Sequence, residues 1–363
     1  MSELAQARIR KALSAYIDPY LHADLFDAGV FKSLEVTDTH VRVVLQFGFP
    51  LEKHRFYIEN QLKLLLAELP GLPKIELVID TKIRSHAVQP NVKAVPNIKN
   101  IIAVGSGKGG VGKSTTAVNL AIALAQLGAK VGILDADIYG PSQPTLLGVK
   151  GKPALNGDKK LIPHQSYGIQ SMSIGYLVDD DTPMIWRGPM VSSTLQQLLN
   201  ETAWDHLDYL IVDLPPGTGD IQLTMAQKVP VSGALIVTTP QDIALNDAVK
   251  ALRMFEKVSV PILGVVQNMS MHVCERCGHQ EAIFGVGGGQ DMAKRYEVPF
   301  LGDLPLDSRI RQQSDEGCPS VVAERDGEIA KMYRDIAKKL AAKLSLKPIN
   351  YSAAMPKIVV ENA

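Results

Sequence analysis

The chain has 363 residues, which is enough for two domains, and 46% of them are hydrophobic, as in a globular protein rather than a disordered one. Lysine plus arginine and aspartate plus glutamate each number 38, so the net charge of zero offers no general attraction to nucleic acid or anionic membranes. No apolar run approaches the roughly 18 residues of a membrane span, and the N-terminus lacks a signal peptide. We therefore expect a cytoplasmic protein without nucleic-acid or membrane partners.

The first 81 residues predict a small α+β domain in the order α-β-β-α-β. Apolar residues recur at helical spacing over 3–16 and 53–69, and short β-rich runs cover 30–36, 40–47 and 74–79. The side chains expected to face the core of the two helices are Leu4, Ile9, Leu13, Tyr16, Phe56, Leu62, Leu65 and Leu69. Residues 82–97 are polar and contain two prolines, so we predict an interdomain linker there.

From Ile98 onward, apolar runs alternate with amphipathic segments. This pattern is typical of βαβ units whose parallel strands are buried on both faces. The runs cover 101–104, 131–134, 209–212, 234–237 and 262–266. A closing helix over 327–344 should pack through Ile329, Met332, Ile336 and Leu340. We predict an α/β domain with a mostly parallel sheet over 98–346 and a C-terminal tail over 347–363.

A glycine-rich loop between a predicted strand and a predicted helix carries the strongest signal. Gly107 to Ser114 satisfies the P-loop pattern G-x-x-x-x-G-K-S/T, which predicts a P-loop NTPase domain. In such a loop the backbone N–H groups surround the phosphates, Lys113 reaches the β- and γ-phosphates, and the Ser114 hydroxyl ligates Mg²⁺. The predicted nucleotide-binding residues here are Gly107, Lys108, Gly109, Gly110, Val111, Gly112, Lys113, Ser114 and Thr115.

Lys108, directly after the first glycine, resembles the second lysine of the deviant Walker A group, which includes MinD, ParA and the nitrogenase iron protein. That resemblance implies a dimer in which Lys108 reaches the nucleotide bound by the other subunit. Asp213 ends an apolar run and precedes a glycine-bearing loop, so it looks like a Walker B aspartate that holds Mg²⁺ through water. In the same group, Asp137 would position the attacking water, and Asp135 would lie nearer the metal shell.

The resemblance also implies an adenine site. Asn268 follows the run 262–266, where an amide can both donate to and accept from the base edge. Pro305 and Asp307 occupy the positions that close over the base in relatives.

Cys274 and Cys277 form a C-x-x-C pair, and the third cysteine, Cys318, is distant in sequence. Zinc sites and ordinary iron–sulfur clusters need four ligands. The cysteines of one chain cannot supply four, whereas a twofold dimer provides two from each subunit. Alternatives remain open: His272 and His279 could complete a zinc site within one chain, or the pair could act in thiol redox chemistry. Cys318 is expected to be a small buried side chain.

Several motifs in this order together resemble the Mrp/ApbC family of ATP-binding iron–sulfur cluster carriers. Beside the P-loop, Asp213 and the cysteine pair, they are Trp186-Arg187-Gly188-Pro189-Met190, Asn268-Met269-Ser270 and Phe284-Gly285-Val286-Gly287-Gly288-Gly289. The resemblance spans residues 98–346. It implies a homodimeric ATPase using ATP and Mg²⁺ that holds one 4Fe–4S cluster with Cys274 and Cys277 of both chains. Its partners would be a cluster-assembly scaffold and apo iron–sulfur proteins.

The N-terminal unit is similar to the small iron–sulfur assembly domain that bacterial members often carry. Residues 47–52, after the second predicted strand, contain no cysteine, so docking to a partner is expected rather than cluster handling. Two other functions remain: a MinD- or ParA-like spatial switch, or an ATPase with structural zinc at the four cysteines. The proline-interrupted C-terminal tail and the neutral charge do not favour the first.

Overall fold

A computed structural model describes residues 2–72, 74–90, 92–178, 188–274 and 276–350. Trp186 and Arg187 of the predicted W-R-G-P-M motif lie outside these residues, as does the predicted tail from Tyr351 onward. Among the helices in the described ranges, none combines the length and apolar character required to cross a membrane.

The N-terminal unit consists of α1 (Ser2–Ser14), β1 (Phe31–Val36), β2 (His40–Phe47), α2 (Lys53–Ala67) and β3 (Lys74–Thr81). Strand β2 is central, with β1 antiparallel and β3 parallel to it. The predicted core residues Ile9, Leu13, Tyr16 and Leu62 are buried, and Leu65 and Leu69 pack at the margin of the core.

Two N-terminal core predictions are wrong, because Leu4 is 74% exposed and Phe56 is 70% exposed. The buried stripe of α2 runs through Ile58, Leu62 and Leu66, spaced four residues apart. Phe56 lies two positions before that stripe, which turns its side chain away from the sheet.

The C-terminal part contains eight further helices after the P-loop helix and ten strands in the described ranges. In chain order they are β4 (Ile98–Gly105), α3 (Lys113–Gln126), β5 (Val131–Asp135), α4 (Gln143–Leu147), β6 (His164–Ser166), β7 (Ile169–Ser173), α5 (Gly188–Glu201), β8 (Leu207–Asp213), α6 (Asp220–Lys228), β9 (Gly233–Thr238), α7 (Asp242–Lys257), β10 (Ile262–Gln267), β11 (His272–Val273), β12 (Gln280–Glu281), α8 (Gly288–Arg295), β13 (Phe300–Asp303), α9 (Ser308–Asp315), α10 (Ser320–Ala323) and α11 (Glu328–Ser345).

Eight of these strands form one sheet in the order β13-β10-β9-β4-β8-β5-β7-β6. All neighbours are parallel except β6, which pairs antiparallel with β7 at the edge. Every predicted apolar run lies within a strand, so the predicted α/β fold class is confirmed. The parallel direction brings the carboxyl ends of β4, β5, β8 and β10 to one edge, where ligands bind in open α/β sheets.

Two hydrophobic cores cover the two faces of the sheet. One contains apolar residues of α3 and α11 and continues into the N-terminal unit, and the other contains residues of α5, α6, α7 and α8. Helix α11 packs through Ile329, Ile336 and Leu340 as predicted. Met332 is 41% exposed, so its predicted burial is wrong.

Residues 82–90 and 92–97 bind to the C-terminal part through long-range hydrogen bonds. The Gln89 amide nitrogen donates to the carbonyls of Ala226 (2.6 Å) and Val229 (2.9 Å), and its oxygen accepts from the Val231 N–H (2.8 Å). His86 donates from its backbone N–H and from Nδ1 to the Asn100 side-chain oxygen, at 3.0 and 2.9 Å. These buried bonds fasten the segment to β4 and to the α6–β9 connection.

Candidate functional site: a nucleotide site and a cysteine hairpin

The P-loop connects β4 to α3, and two of its glycines are required by close contacts. A Cβ on Gly107 would lie 2.1 Å from the Asp247 carbonyl carbon of α7. Gly112 has φ of 80°, and a Cβ there would lie 2.2 Å from the Asn268 amide nitrogen. Within the described helix α3 no side chain caps the N-terminus and no acidic residue lies in the first turn. The first N–H groups are therefore available to an anion such as phosphate.

The Lys113 ammonium lies between two groups at the start of α3 and the end of β8. It donates to the Asp213 Oδ1 and to the Ser114 hydroxyl, the latter at 3.2 Å. Lys113 and Asp213 are both buried. Asp213 and Ser114 thus converge on a cation, and a carboxylate with a hydroxyl is the kind of oxygen donor set that Mg²⁺ prefers. Mg²⁺ therefore fits this pair of residues.

The rest of the P-loop faces the solvent and the loop that follows β8. Lys108 is half-buried, and Gly109 and Gly110 are exposed. The Ser106 hydroxyl donates to the Lys108 carbonyl (2.9 Å), and the Ser106 carbonyl accepts from the Gly217 N–H (3.0 Å). The P-loop and the glycine-bearing loop after Asp213 are therefore joined directly.

Asp135, at the end of β5, anchors both ends of the segment 136–143. Its Oδ1 accepts from the Asp137 N–H (3.1 Å), and its Oδ2 accepts from the N–H groups of Ser142 and Gln143, both at 3.0 Å. The Ser173 hydroxyl also donates to Oδ2 at 3.1 Å. These bonds join Asp135 to the loop that carries Asp137, and its predicted place near the metal shell stays a prediction.

Burial dominates the electrostatics of both aspartates in this motif. Burial, followed by the charge of Asp213, raises the pKa of Asp135 to about 7, and the Gln143 N–H and Lys113 oppose this rise. Burial also raises the pKa of Asp137, which is half-buried, against the effect of Lys113. Both carboxyl groups therefore bind a proton more readily than a solvated aspartate does.

Gln143 is a residue of this site that sequence reasoning missed. It is fully buried, and its amide nitrogen donates to Asp213 Oδ2 at 2.9 Å and to the Ser114 carbonyl at 3.2 Å. No sequence motif marks this glutamine as a site residue, and glutamine is a residue type that is mostly exposed. Its position at the end of the segment that begins with Asp135 was the only available signal.

Asn268 connects the end of β10 to the P-loop. Its amide nitrogen donates to the Val111 carbonyl at 2.9 Å, and its N–H donates to the Thr238 carbonyl at 2.8 Å. The carbonyl of Leu304 accepts from the N–H and hydroxyl of Ser270, so the loop of Pro305 and Asp307 runs beside residues 270–272. The loop that carries Pro305 and Asp307 therefore lies beside the residues that directly follow Asn268, at the carboxyl end of β10.

Asp307 has a clear structural partner in Arg309. Its side chain accepts from the Arg309 N–H at the start of α9 and from the Arg309 guanidinium, both at 2.8 Å. The hydrogen bond from Arg309 is the main cause that lowers the pKa of Asp307.

Cys274 and Cys277 lie in the turn of a small hairpin formed by β11 and β12. The Cys274 N–H donates to the His279 carbonyl, and the Gly278 N–H donates to the Cys274 carbonyl, both at 2.9 Å. Cys274 is half-buried and Cys277 is exposed, whereas Cys318 is half-buried and lies after α9.

The histidines that could have completed a zinc site do not gather around this pair. His272 donates from Nδ1 to the Leu306 carbonyl at 3.1 Å, and His279 is exposed. Across the described part of the chain, no group of three or more histidine, cysteine, aspartate or glutamate side chains is placed to hold a metal ion. One chain thus presents a pair of thiols rather than a complete metal site.

A glycine loop between a central parallel strand and a helix, with Lys113 and Asp213 paired beneath it, defines a P-loop NTPase of the MinD/ParA-like fold. A solved nucleotide-binding protein from Archaeoglobus fulgidus, in complex with ADP, is similar at a TM-score of 0.57 and 39% identity, covering 65% of this chain and 92% of that one. The cell division ATPase MinD of Pyrococcus furiosus is similar at a TM-score of 0.51 and 25% identity, covering 66% and 97%.

Sequence comparison gives the family. The model of NUBPL iron-transfer P-loop NTPases matches residues 97–341, and that of the iron–sulfur cluster assembly proteins matches residues 6–77. An iron–sulfur cluster carrier protein of Haemophilus influenzae is 47% identical over 340 residues, 93% of this chain and 92% of the relative. The chain therefore belongs to the NUBPL iron-transfer P-loop NTPase family, which confirms the resemblance to ATP-binding iron–sulfur cluster carriers.

Proposed function

We propose that this protein is a cytoplasmic, ATP-hydrolysing carrier of a 4Fe–4S cluster, which two subunits hold between them and release to apo iron–sulfur proteins. The observation that carries the proposal is the cysteine hairpin: it presents two thiols at an accessible turn and lies a few residues from a bond to the P-loop. Family membership supports the nature of the cargo.

At the nucleotide site, the N–H groups of Gly107 to Thr115 would bind the phosphates of ATP. Lys113 would exchange its bond with Asp213 for the β- and γ-phosphates, leaving Ser114 and Asp213 to hold Mg²⁺. Bound Mg²⁺ neutralises charge on the phosphates. Asp137 would position the attacking water, and Lys108 would reach the nucleotide of the other subunit.

The adenine would lie at the exposed side of the same edge, among Asn268, Pro305 and Asp307. The Asn268 amide nitrogen already bonds to Val111, so its oxygen is the group available to the base.

At the hairpin, cluster binding requires a second subunit. A 4Fe–4S cluster takes four thiolates, whereas Cys274 and Cys277 supply two. A twofold axis beside the hairpin would bring the same pair from a second copy, which completes the ligand set without any other residue. The exposure of Cys277 is consistent with a cargo that enters and leaves.

The nucleotide and cysteine sites are joined by a short series of hydrogen bonds. Val111 in the P-loop binds Asn268, the Met271 carbonyl accepts from the Leu306 N–H (2.9 Å), and the Leu306 carbonyl accepts from His272 (3.1 Å). A change at the P-loop can therefore reach the hairpin through residues 268–272. Coupling of cargo affinity to ATP requires that the two nucleotide states place this segment differently.

ATP turnover tests the nucleotide half of the proposal. The Lys113→Ala variant should lose most ATP hydrolysis, because the phosphates lose their principal cation. Lys250→Ala, which removes an exposed lysine of α7 paired with Asp247, is the matched control and should retain activity. Normal turnover in Lys113→Ala would refute the assignment.

Cluster loading tests the other half. Protein reconstituted with iron and sulfide without oxygen should gain about four iron and four sulfide per dimer, with a visible absorption band. Cys274→Ala should lose the cluster, whereas Cys318→Ala should retain it. The loaded wild type should restore a cluster to an apo-ferredoxin, at a rate that changes with ATP. Tightly held zinc without sulfide would instead support a structural site.

A further inference from the structure

The segment 136–143, which follows Asp135, ends at a buried glutamine, Gln143, whose side-chain nitrogen is hydrogen-bonded and whose side-chain oxygen is not. Gln143 donates both of its amide hydrogens, to Asp213 Oδ2 and to the Ser114 carbonyl, while its Oε1 is buried and accepts no hydrogen bond. Within the described residues five buried side-chain atoms share this condition, and another of them is the hydroxyl of the adjacent Ser142. Buried polar atoms normally have a partner, so two at adjacent positions require an explanation.

The surroundings of Gln143 supply one. Its two partners, Asp213 and Ser114, are the residues that converge on the Lys113 ammonium. An unpaired oxygen beside a cation site is suited to accept a hydrogen bond from a water of the cation's shell, because such waters are strong donors. Lys113 donates to Asp213 Oδ1 and to the Ser114 hydroxyl, and among the described residues no donor reaches Gln143 Oε1.

We infer that Gln143 is a positioning residue of the Mg²⁺ site: its amide nitrogen orients the Asp213 carboxylate, and its oxygen binds the hydrated metal. This inference rests on the proposed ATP site. The backbone N–H of Gln143 also connects the metal site to the loop of Asp137. The Gln143 N–H is bonded to Asp135, whose other oxygen holds the Asp137 N–H, so metal occupancy at Asp213 becomes linked to the position of the Asp137 loop.

Two substitutions separate this role from a purely structural one. Gln143→Met keeps the length of the side chain but removes both the donor and the acceptor. Gln143→Glu keeps the acceptor and adds a negative charge beside Asp213, which disfavours the metal-free site and favours the metal-bound one. A purely structural role predicts that both variants lose stability while the coupling between metal and nucleotide binding stays as in the wild type. A role at the metal site predicts that this coupling weakens in Gln143→Met and strengthens in Gln143→Glu.

The measurement is the dissociation constant of a fluorescent ADP analogue in excess Mg²⁺ and in excess EDTA. For each protein, the ratio of the EDTA value to the Mg²⁺ value reports how strongly metal and nucleotide reinforce each other. Loss of a hydrogen bond to a charged site should lower this ratio about tenfold in Gln143→Met. The ratio should rise in Gln143→Glu, and Mn²⁺ titrations followed by EPR should show the same order of metal affinity.

Gln170→Met is the matched control. Gln170 is also a buried glutamine that joins two segments, through the Asp205 carbonyl (3.3 Å) and N–H (3.0 Å), but it bonds to no residue of the nucleotide site. Its ratio should equal that of the wild type. A ratio within about twofold of wild type in Gln143→Met, or an equal fall in Gln170→Met, overturns the inference.

If Gln143→Met does not fold, Gln143→Glu decides alone, and a wild-type ratio there overturns the inference. Wild-type protein that binds no ADP at all would contradict the proposed function itself, whereas wild-type binding with unchanged variant ratios contradicts only the role of Gln143.

Discussion

The buried Lys113–Asp213 pair should make the P-loop lysine important for stability as well as for nucleotide binding. Lys113 donates to the fully buried Asp213, and its charge also opposes the rise in the pKa of the buried Asp135. Replacing Lys113 by methionine keeps the apolar stem but removes the charge. The Asp213 carboxylate then remains buried without its positive partner, in a part of the protein where water cannot replace that partner.

The magnitude follows from the burial of the pair. Removing one partner of a buried ion pair costs about 3–5 kcal/mol, mainly because the other charge stays buried and unpaired. We expect Lys113→Met to lower the free energy of unfolding of the nucleotide-free protein by about that amount. Removing the abandoned charge as well, in Lys113→Met/Asp213→Asn, should recover most of the loss, because an amide buries more readily than an unpaired carboxylate.

The assay is urea unfolding at pH 7 without nucleotide, followed by circular dichroism. Lys250→Met is the control, since its exposed pair with Asp247 should contribute no more than about 0.5 kcal/mol. A loss below about 1 kcal/mol in Lys113→Met, or no recovery in the double variant, would show that Lys113 does not compensate the buried Asp213 carboxylate.

Three further substitutions have measurable effects on nucleotide binding or on stability. Gly112→Ala should weaken nucleotide binding at least tenfold, because its Cβ would lie 2.2 Å from the Asn268 amide nitrogen at a φ of 80°; near-normal binding by titration would contradict the contact. Asp135→Asn should alter the pH dependence of stability. Because the pKa of Asp135 is raised to about 7, the native protein retains a proton that the unfolded chain loses near pH 4. The free energy of unfolding of the wild type relative to Asp135→Asn should therefore fall as pH rises from 5 to 7. A difference in urea unfolding that stays constant over this range would contradict the reasoning. Gly48→Val should lower the free energy of unfolding by about 1–3 kcal/mol, because a Cβ there would lie 2.9 Å from the Ser345 Cβ of α11. Its control is Gly157→Val, which should be nearly neutral because a Cβ there would meet no atom within 4 Å.

Features that depend on local sequence were predictable. Five strands of the large sheet, β4, β5, β8, β9 and β10, are almost entirely buried, so each contains a continuous apolar run. The P-loop pattern is contiguous because one turn has to present several N–H groups to one phosphate chain. The P-loop pattern thus predicts the roles of Lys113 and Ser114, and the place of Asp213 at the end of an apolar run predicts that it joins them at the sheet edge.

Features that depend on long-range contacts were not predictable. Gln89 and Gln143 are ordinary polar residues in the sequence. Only the fold brings Gln89 to Ala226, 137 residues away, and Gln143 to Asp213, 70 residues away. Met332 has helical spacing with Ile329 and Ile336, but its side chain lies at the edge of the buried stripe and is 41% exposed. Periodicity gives the approximate face of a helix, whereas the edge of the buried stripe is set by the neighbouring element.

Native mass spectrometry of the anaerobically reconstituted protein can show whether two subunits share one cluster. We expect a dimer whose mass includes a single 4Fe–4S cluster, a monomer without iron, and loss of the cluster from dimers of Cys277→Ala but not of Cys318→Ala. A cluster or a zinc ion on each separate monomer would contradict it.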